Sequence, residues 1–306
     1  MSKFQDVIKN PAIWAGLNKP NISINETDVV VFGIPFDGGV SFRSGARTAP
    51  DALRNITYTI SPTTEEFQDF SDLKVLDLGN ALGNTRDELF DSAEQMAYDA
   101  VKAGKFFTMI GGDHSTTIPV HRGIDKAIGD SFGIIHIDAH FDLCNDQGGD
   151  TLSHATTERR AIELDHVNGI EDLFFIGIRS IESDELDFMA NNNVNVLSSK
   201  QISKIGTDAV VKQVKEKLGH LKHIYITLDI DCLDPAYAAG TGTPQFGGMT
   251  SRELLNILEG LFDLPVIGMD IVEVAPNLDP SLSSLFAARK IVTECWGHHY
   301  NNRLKK

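Results

Sequence analysis

Two short clusters in this sequence combine carboxylates and histidine at a spacing that suits metal binding. Residues 138–142 read Asp-Ala-His-Phe-Asp, and residues 229–231 read Asp-Ile-Asp. In an extended backbone, side chains two residues apart point to the same side, so each cluster presents its ionisable groups together. Gathering carboxylates at the end of a buried strand is costly unless positive charge neutralises them. The two clusters therefore predict bound divalent cations.

The predicted metal ligands are four carboxylates and two histidines: Asp138, Asp142, Asp229, Asp231, His114 and His140. Four carboxylates balance the charge of two divalent cations. Because the set is rich in oxygen and has no thiolate, it suits Mn²⁺ better than a structural Zn²⁺, with Fe, Co or Ni as alternatives. Two ions that bridge one water lower its pKa toward neutrality and make it a nucleophile. We therefore expect two Mn²⁺ ions per chain and a hydrolytic reaction.

Each motif taken alone has an ordinary structural explanation. An isolated Asp-x-Asp is usually a turn or a helix cap, and an isolated histidine usually packs in the core or on the surface. The recurrence of the pattern after two apolar runs is what favours a metal centre. His136 is expected to lie on the opposite face to His140, and to be buried or to support a metal ligand.

The elements that must position these clusters are short apolar runs, which we predict to be strands. Eight such runs occupy residues 29–36, 74–78, 106–110, 132–137, 173–178, 194–197, 223–228 and 266–274. They are continuously apolar rather than alternating, which predicts burial on both faces, as in a parallel sheet. The chemically interesting residues follow the ends of these runs, including a further cluster at residues 270–273.

Segments with helical periodicity separate the predicted strands. Helices are expected to begin at Thr85 and at Thr250, because each is followed three residues later by a glutamate, the pattern of a capping box. Alternating strands and helices indicate an α/β fold, and without a linker or a repeat we expect one domain over residues 1–306. A (β/α)8 barrel and an open doubly wound sheet both remain compatible with this pattern.

The composition restricts the classes of partner. The formal net charge is −16, from 43 acidic and 27 basic residues, so nucleic-acid binding is not expected, whereas cationic ligands are favoured. We expect no membrane association, because no apolar run approaches the length of a membrane span. Residues 1–6 lack the layout of a secretory signal, and three widely spaced cysteines do not suggest disulfides. A cytoplasmic location is the expectation.

Taken in order, the motifs resemble those of the ureohydrolase (arginase/agmatinase) family, and in particular its agmatinase branch. The resembling segments are residues 33–39, 43–50, 111–115, 138–142, 177–179, 229–235, 240–244 and 270–274. The resemblance implies a three-layer α/β/α sandwich around an eight-stranded parallel sheet. It also implies two Mn²⁺ ions on the six residues named above, hydrolysis of guanidinium groups to urea and an amine, and a homotrimer or homohexamer.

The resemblance also implies roles for individual residues. Asp142 would hold the attacking water and relay its proton, and His154 matches the family's proton-shuttling histidine. Glu273 matches the carboxylate that pairs with the substrate's guanidinium, a charge-assisted contact. Glu158, four residues after His154, would suit an ammonium tail if its side chain points into the site. Cys144 stands where arginases carry an asparagine, which argues against arginine as the substrate.

Agmatine, hydrolysed to putrescine and urea, is the leading substrate hypothesis. The alternatives are guanidinobutyrate, guanidinopropionate and formiminoglutamate, whose carboxylate tails would require a basic anchor near the site. Two further alternatives are a non-catalytic homologue and a deacetylase-like enzyme that binds one zinc ion. The complete set of predicted ligands favours an enzyme with two metals over either of these.

Overall fold

The computed structural model describes residues 7–305, so residues 1–6, from which we predicted the absence of a secretory signal, lie outside the described part. Its strands are β1 Val29–Gly33, β2 Val75–Asn80, β3 Phe106–Ile110, β4 Gly133–Ile137, β5 Leu173–Ile178, β6 Asn195–Ser198, β7 Ile224–Leu228 and β8 Val266–Ile271. Its α-helices are α1 Ala49–Arg54, α2 Arg86–Lys102, α3 Thr117–Ala127, α4 Thr157–Ala161, α5 Ser183–Asn191, α6 Ser199–Ile205, α7 Thr207–Leu218, α8 Ser251–Leu261 and α9 Ser283–His299.

The eight strands form one parallel sheet in the order β2-β1-β3-β8-β7-β4-β5-β6. The prediction of eight parallel strands in an open α/β/α sandwich is confirmed, and the barrel alternative is excluded. Two strands end earlier than predicted. β1 stops at Gly33 because Pro35 has no N–H to donate to a ladder. β8 stops at Ile271, since Glu273 turns the chain with a φ of +59°.

Helices cover both faces of the sheet, which is why the strands are apolar throughout. Along β1, Val29 and Val31 belong to the core on one face, whereas Val30 and Phe32 belong to the core on the other. The first core includes apolar residues of α1, α6, α7, α8 and α9, and the second includes those of α2 and α3. Within residues 7–305, no helix is long and apolar enough to cross a membrane.

The helix starts predicted from capping residues are confirmed. The Thr85 side chain accepts a hydrogen bond from Glu88 N at the start of α2, although Glu88 bonds back to Asn84 N instead of Thr85 N. At α8 the Thr250–Glu253 box is complete in both directions. These bonds satisfy first-turn N–H groups that would otherwise have no partner.

The predicted site residues follow β3, β8, β7 and β4, which are consecutive neighbours in the sheet. Ile137 of β4 pairs with Leu228 of β7, so the next residues, Asp138 and Asp229, leave the sheet side by side. Because all strands are parallel, their carboxyl ends meet at one edge. The sheet therefore brings together clusters that lie far apart in the sequence.

The loop after β3 is held between two neighbouring loops by backbone contacts. Asp113 N donates to Phe36 O at 2.9 Å, and Gly112 O accepts from Glu273 N at 2.8 Å. A Cβ atom on Gly112 would lie 1.6 Å from Phe36 O, so only glycine permits this approach. The contact fixes the loop that carries His114.

We expect Gly112→Ala to lower the free energy of unfolding by about 3 kcal/mol, at the upper end of typical overpacking costs, because backbone cannot rotate away from the added methyl. Chemical denaturation measures this change. Gly129→Ala is the matched control, since nothing lies within 4 Å of a Cβ built there. Equal stability of the two variants would contradict the proposed close approach.

Candidate metal centre and active-site cavity

Three carboxylates surround one ring nitrogen of His114 at the edge of the sheet. His114 Nδ1 lies 2.9 Å from Asp138 Oδ2 and 3.0 Å from Asp142 Oδ2. The same nitrogen is 3.5 Å from Asp229 Oδ2. All four side chains are buried. The structure thus brings together four of the six residues that the sequence proposes as metal ligands.

The remaining two predicted ligands adjoin this group. His140 Nδ1 lies 3.3 Å from Asp231 Oδ2 and 3.5 Å from Asp138 Oδ1. Asp138 therefore faces His114 with one oxygen and His140 with the other. Its carboxylate belongs to both of the groups of side chains whose donor atoms lie close enough to hold a metal ion.

The tautomer of His114 is set by a hydrogen-bonded chain behind it. Thr227 Oγ1 donates to Asp270 Oδ1 at 2.8 Å and lies 2.8 Å from His114 Nε2. Because the hydroxyl proton goes to Asp270, His114 Nε2–H is the donor to Thr227, and Nδ1 carries a lone pair. This lone pair faces carboxylate oxygens, an arrangement that is repulsive without a cation between them.

Buried atoms without hydrogen-bond partners test whether metal ions fit this cluster. Among residues 7–305 these atoms include His114 Nδ1 and the Oδ2 atoms of Asp138, Asp142 and Asp231. Burial raises the pKa of Asp229 well above its usual value, and the charges of Asp231 and Asp138 raise it further. Divalent cations would use these carboxylate and imidazole atoms as ligands and offset the excess negative charge. The residues therefore fit a metal centre.

Local backbone turns, rather than an extended strand, bring the paired carboxylates together. Asp138 Oδ1 accepts a hydrogen bond from His140 N at 2.7 Å, and Asp229 Oδ1 accepts from Asp231 N at 2.8 Å. Both motifs lie just beyond their strands, in a bend and in the short 3-10 helix Ile230–Cys232. We expected these side chains to converge because they share one face of an extended strand. The side chains do converge, but turns beyond the strands bring them together.

Two of the predicted catalytic carboxylates sit on left-handed backbone. The φ angles of Asp142 and Glu273 are +54° and +59°, and such conformations cost on the order of 1–3 kcal/mol each for residues other than glycine. The carbonyl of Asp142 accepts hydrogen bonds from the N–H groups of Glu158 and Arg159. Contacts of this kind hold the chain in a conformation that turns these carboxylates toward the cluster.

His154 lies between Glu273 and Ser41. Its Nδ1 is 2.9 Å from Glu273 Oε1, and its Nε2 is 3.0 Å from Ser41 Oγ. Burial alone would lower the pKa of His154, but the hydrogen bond and charge of Glu273 outweigh it and raise the pKa to about 9. Ser41 can form a hydrogen bond with either protonation state of His154. Its N–H donates to Nε2 when that nitrogen is neutral, and its hydroxyl oxygen accepts from Nε2–H when the ring is protonated.

A cavity of about 160 Å³ opens over the cluster. His154 and four of the predicted ligands line it: His114, His140, Asp142 and Asp229. Glu182 and Glu185 add carboxylates at the other side, and no lysine or arginine of residues 7–305 is in the lining. The cavity therefore suits a small cation.

Glu273 does not line this cavity. Its side chain is 1% exposed, and its Oε1 also accepts a hydrogen bond from His114 N.

The structure contradicts the prediction for Glu158 and confirms the one for His136. Glu158 does not contact the cavity: it is fully buried, and its Oε1 lies 3.0 Å from His136 Nδ1, so it is not placed to contact a substrate tail. His136 supports a predicted metal ligand, as expected, because its Nε2 is 3.2 Å from Asp138 Oδ2 and its ring stacks on that of His114. It is buried as expected, and residues 136 and 138 share a face because they are two apart.

Sequence reasoning also missed several residues that support the cluster: Ser41, Thr227, Asp270 as a hydrogen-bond hub, Glu182 and Glu185. Asp270 accepts four hydrogen bonds, including those of Tyr225 and Thr117. Ser41 lies two residues beyond the first resembling segment, which was a usable signal. Asp270 lies in the cluster at residues 270–273, although its role as a hub was not predicted, and the other three have no distinctive spacing in the sequence.

Comparison with known proteins gives one consistent family. The profile of the arginase family matches residues 27–297, a range that contains every predicted site residue. The agmatinase of Chromobacterium violaceum is 36% identical over 275 residues, which cover 87% of this chain and 82% of that relative.

Solved structures support the same family. A protein described as a hypothetical agmatinase from Burkholderia thailandensis has a TM-score of 0.84 at 30% identity, covering 95% of this chain and 92% of its own. The proclavaminate amidino hydrolase of Streptomyces clavuligerus has a TM-score of 0.83 at 32% identity, covering 90% and 93%.

We expect His140→Ala to lower the metal content of the purified protein, because it removes an imidazole that faces both Asp138 and Asp231. Elemental analysis after dialysis against Mn²⁺ measures the ratio of metal to protein. His166→Ala is the control, since His166 is a partly exposed partner of Asp125 away from the cluster. Unchanged metal content in His140→Ala would remove that residue from the predicted ligand set.

Proposed function

Because this chain belongs to the arginase family and is a hydrolase, we propose that it hydrolyses agmatine to putrescine and urea with two Mn²⁺ ions. The observation that carries the proposal is the position of the metal-binding cluster beneath a small cavity lined by carboxylates and His154. The family and its agmatinase relatives support the reaction class. The charge of the cavity supports the choice of substrate.

Different residues near the cavity would have different roles in the hydrolysis of a guanidinium group. Bound divalent cations would supply an activated water, which a guanidinium carbon requires because its delocalised charge makes it a poor electrophile. Asp142 lines the cavity and is placed to hold that water and accept its proton. Glu273 uses Oε1 to accept from His114 N and to contact His154. Because it is buried and does not line the cavity, its pairing with the substrate's guanidinium stays a prediction from the family resemblance.

His154 is suited to protonate the leaving amine. The tetrahedral intermediate breaks down only when its amine nitrogen gains a proton, and a pKa of about 9 keeps His154 charged at neutral pH. Ser41 is exposed and in contact with Nε2, so it connects the ring to solvent for the return of a proton. Ser41 thus gives His154 a route for regaining the proton that the leaving amine takes, while Glu273 stabilises the charged ring.

The rim of the cavity favours an ammonium tail over a carboxylate tail. Glu182 is exposed at the rim, and the buried Glu185 uses its carboxylate to accept from Leu143 N and Glu182 N. A cationic tail is attracted by these groups. The carboxylate of guanidinobutyrate is repelled, and the described part of the chain places no lysine or arginine in the lining. Agmatine, which is cationic at both ends, fits this charge pattern.

Steady-state assays on four substrates test the proposal, each with Mn²⁺-loaded protein: urea release from agmatine, guanidinobutyrate and guanidinopropionate, and formamide release from formiminoglutamate. We expect agmatine to have the highest kcat/KM. Glu182→Gln should raise the KM for agmatine roughly fivefold, because a partly exposed ion pair contributes about 1 kcal/mol, and should lower the KM for guanidinobutyrate, because it removes a charge that repels the carboxylate. Asp187→Asn, on α5 but outside the cavity lining, is the matched control. Urea release from guanidinobutyrate alone would overturn the choice of agmatine.

His154→Ala should reduce kcat by roughly 10²- to 10⁴-fold, the usual contribution of general acid–base catalysis, while leaving both metals bound. Because the pKa of His154 is raised, the ring stays protonated at neutral pH and loses its proton only as the pH rises through about 9. Wild-type kcat should therefore fall through this range, and the variant should lack that fall. Measured kcat that is unchanged in His154→Ala would exclude His154 from the mechanism.

A further inference from the structure

A buried carboxylate lies behind the metal-binding cluster without touching the cavity. Glu158, near the start of α4, is fully buried, which is costly for a carboxylate unless a specific partner compensates. That partner is His136, whose Nδ1 is 3.0 Å from Glu158 Oε1. The proposed catalytic steps use neither residue, so the pair requires an explanation of its own.

The ring of His136 is held on every side. Its Nε2 lies 3.2 Å from Asp138 Oδ2 and 3.0 Å from the carbonyl oxygen of His140. One face stacks on His114 with an interplanar angle of 3°, and Phe175 packs against the ring at a centroid distance of 5.2 Å. Glu158 holds the only edge that these contacts leave free, and so fixes where Nε2 meets Asp138.

The position of Asp138 matters for the whole cluster. Its Oδ2 faces His114, and its Oδ1 faces His140 and accepts from His140 N. A shift of this one carboxylate would disturb both groups of potential metal ligands. Glu158 also contacts the cluster through its backbone, since its N–H donates to Asp142 O at 3.0 Å. One residue of α4 therefore supports two of the predicted ligands.

We propose that Glu158 is a positioning residue for the metal centre: through His136 it fixes the carboxylate of Asp138, and thereby sets the affinity for both metal ions. The inference rests on the proposed metal centre but not on the choice of agmatine. Partners of metal ligands in this position usually contribute 10- to 100-fold to metal affinity. The contact with His136, rather than the negative charge alone, is the decisive property.

Two substitutions separate the contact from the charge. Glu158→Asp keeps the charge but withdraws the carboxylate by one methylene, so it should lose His136 and weaken Mn²⁺ binding by about 10- to 100-fold. Glu158→Gln keeps the reach, because its amide can bond to Nδ1, and should weaken binding by less than about tenfold. Calorimetric titration of the metal-free protein with Mn²⁺ measures the dissociation constants. The opposite order of the two variants would overturn the proposal.

Further measurements separate positioning from general stability. Glu163→Gln, which alters an exposed partner of Arg160, is the matched control and should bind Mn²⁺ like the wild type. In a double-mutant cycle, adding Glu158→Asp to His136→Phe should cause no further loss of affinity, because Glu158 acts through that ring. A lower Tm of the metal-free Glu158→Asp protein with unchanged Mn²⁺ affinity would reduce Glu158 to a structural partner. Because no substrate is present, failure on agmatine leaves this test intact.

Discussion

Four carboxylates buried at one edge of a parallel sheet are the constraint on which the rest of this structure depends. The register of β4 and β7 places Asp138 beside Asp229, and burial makes that proximity unfavourable without positive charge. Histidines face the carboxylates. Several buried atoms of both the histidines and the carboxylates lack hydrogen-bond partners within residues 7–305. Divalent cations are the simplest compensation, and in the proposed function they would also activate water for hydrolysis.

The fold holds this unfavourable group in place by fixing what lies behind it. Two chains of polar contacts run from the core to the cluster, one through Asp270 and Thr227 to His114, and one through Glu158 and His136 to Asp138. Both end on a side chain whose orientation decides whether a metal can bind. Such preorganisation transfers the cost of assembling the site to the folding of the sheet and its helices.

The chemistry and the specificity come from different parts of the molecule. The predicted metal ligands lie immediately after the central strands, where the sheet fixes them, and the proposed hydrolytic step belongs to this part. The acidic rim lies on the segment that leads into α5, with Glu182 exposed. Loops of this kind vary without disturbing a core. In the proposed function, the substrate's tail is therefore recognised by a part of the chain that can differ between enzymes of one chemistry.

The sequence by itself determined the strands, the α/β class and the six residues of the cluster, because continuous apolar runs and closely spaced ionisable groups are local patterns. The resemblance to a family supplied the open sheet. Only the tertiary structure decided that Glu158 is buried on His136 instead of facing the cavity, and that Glu182 and Ser41 face it. The direction of a side chain after a turn depends on packing against residues distant in the chain, and no local pattern encodes that packing.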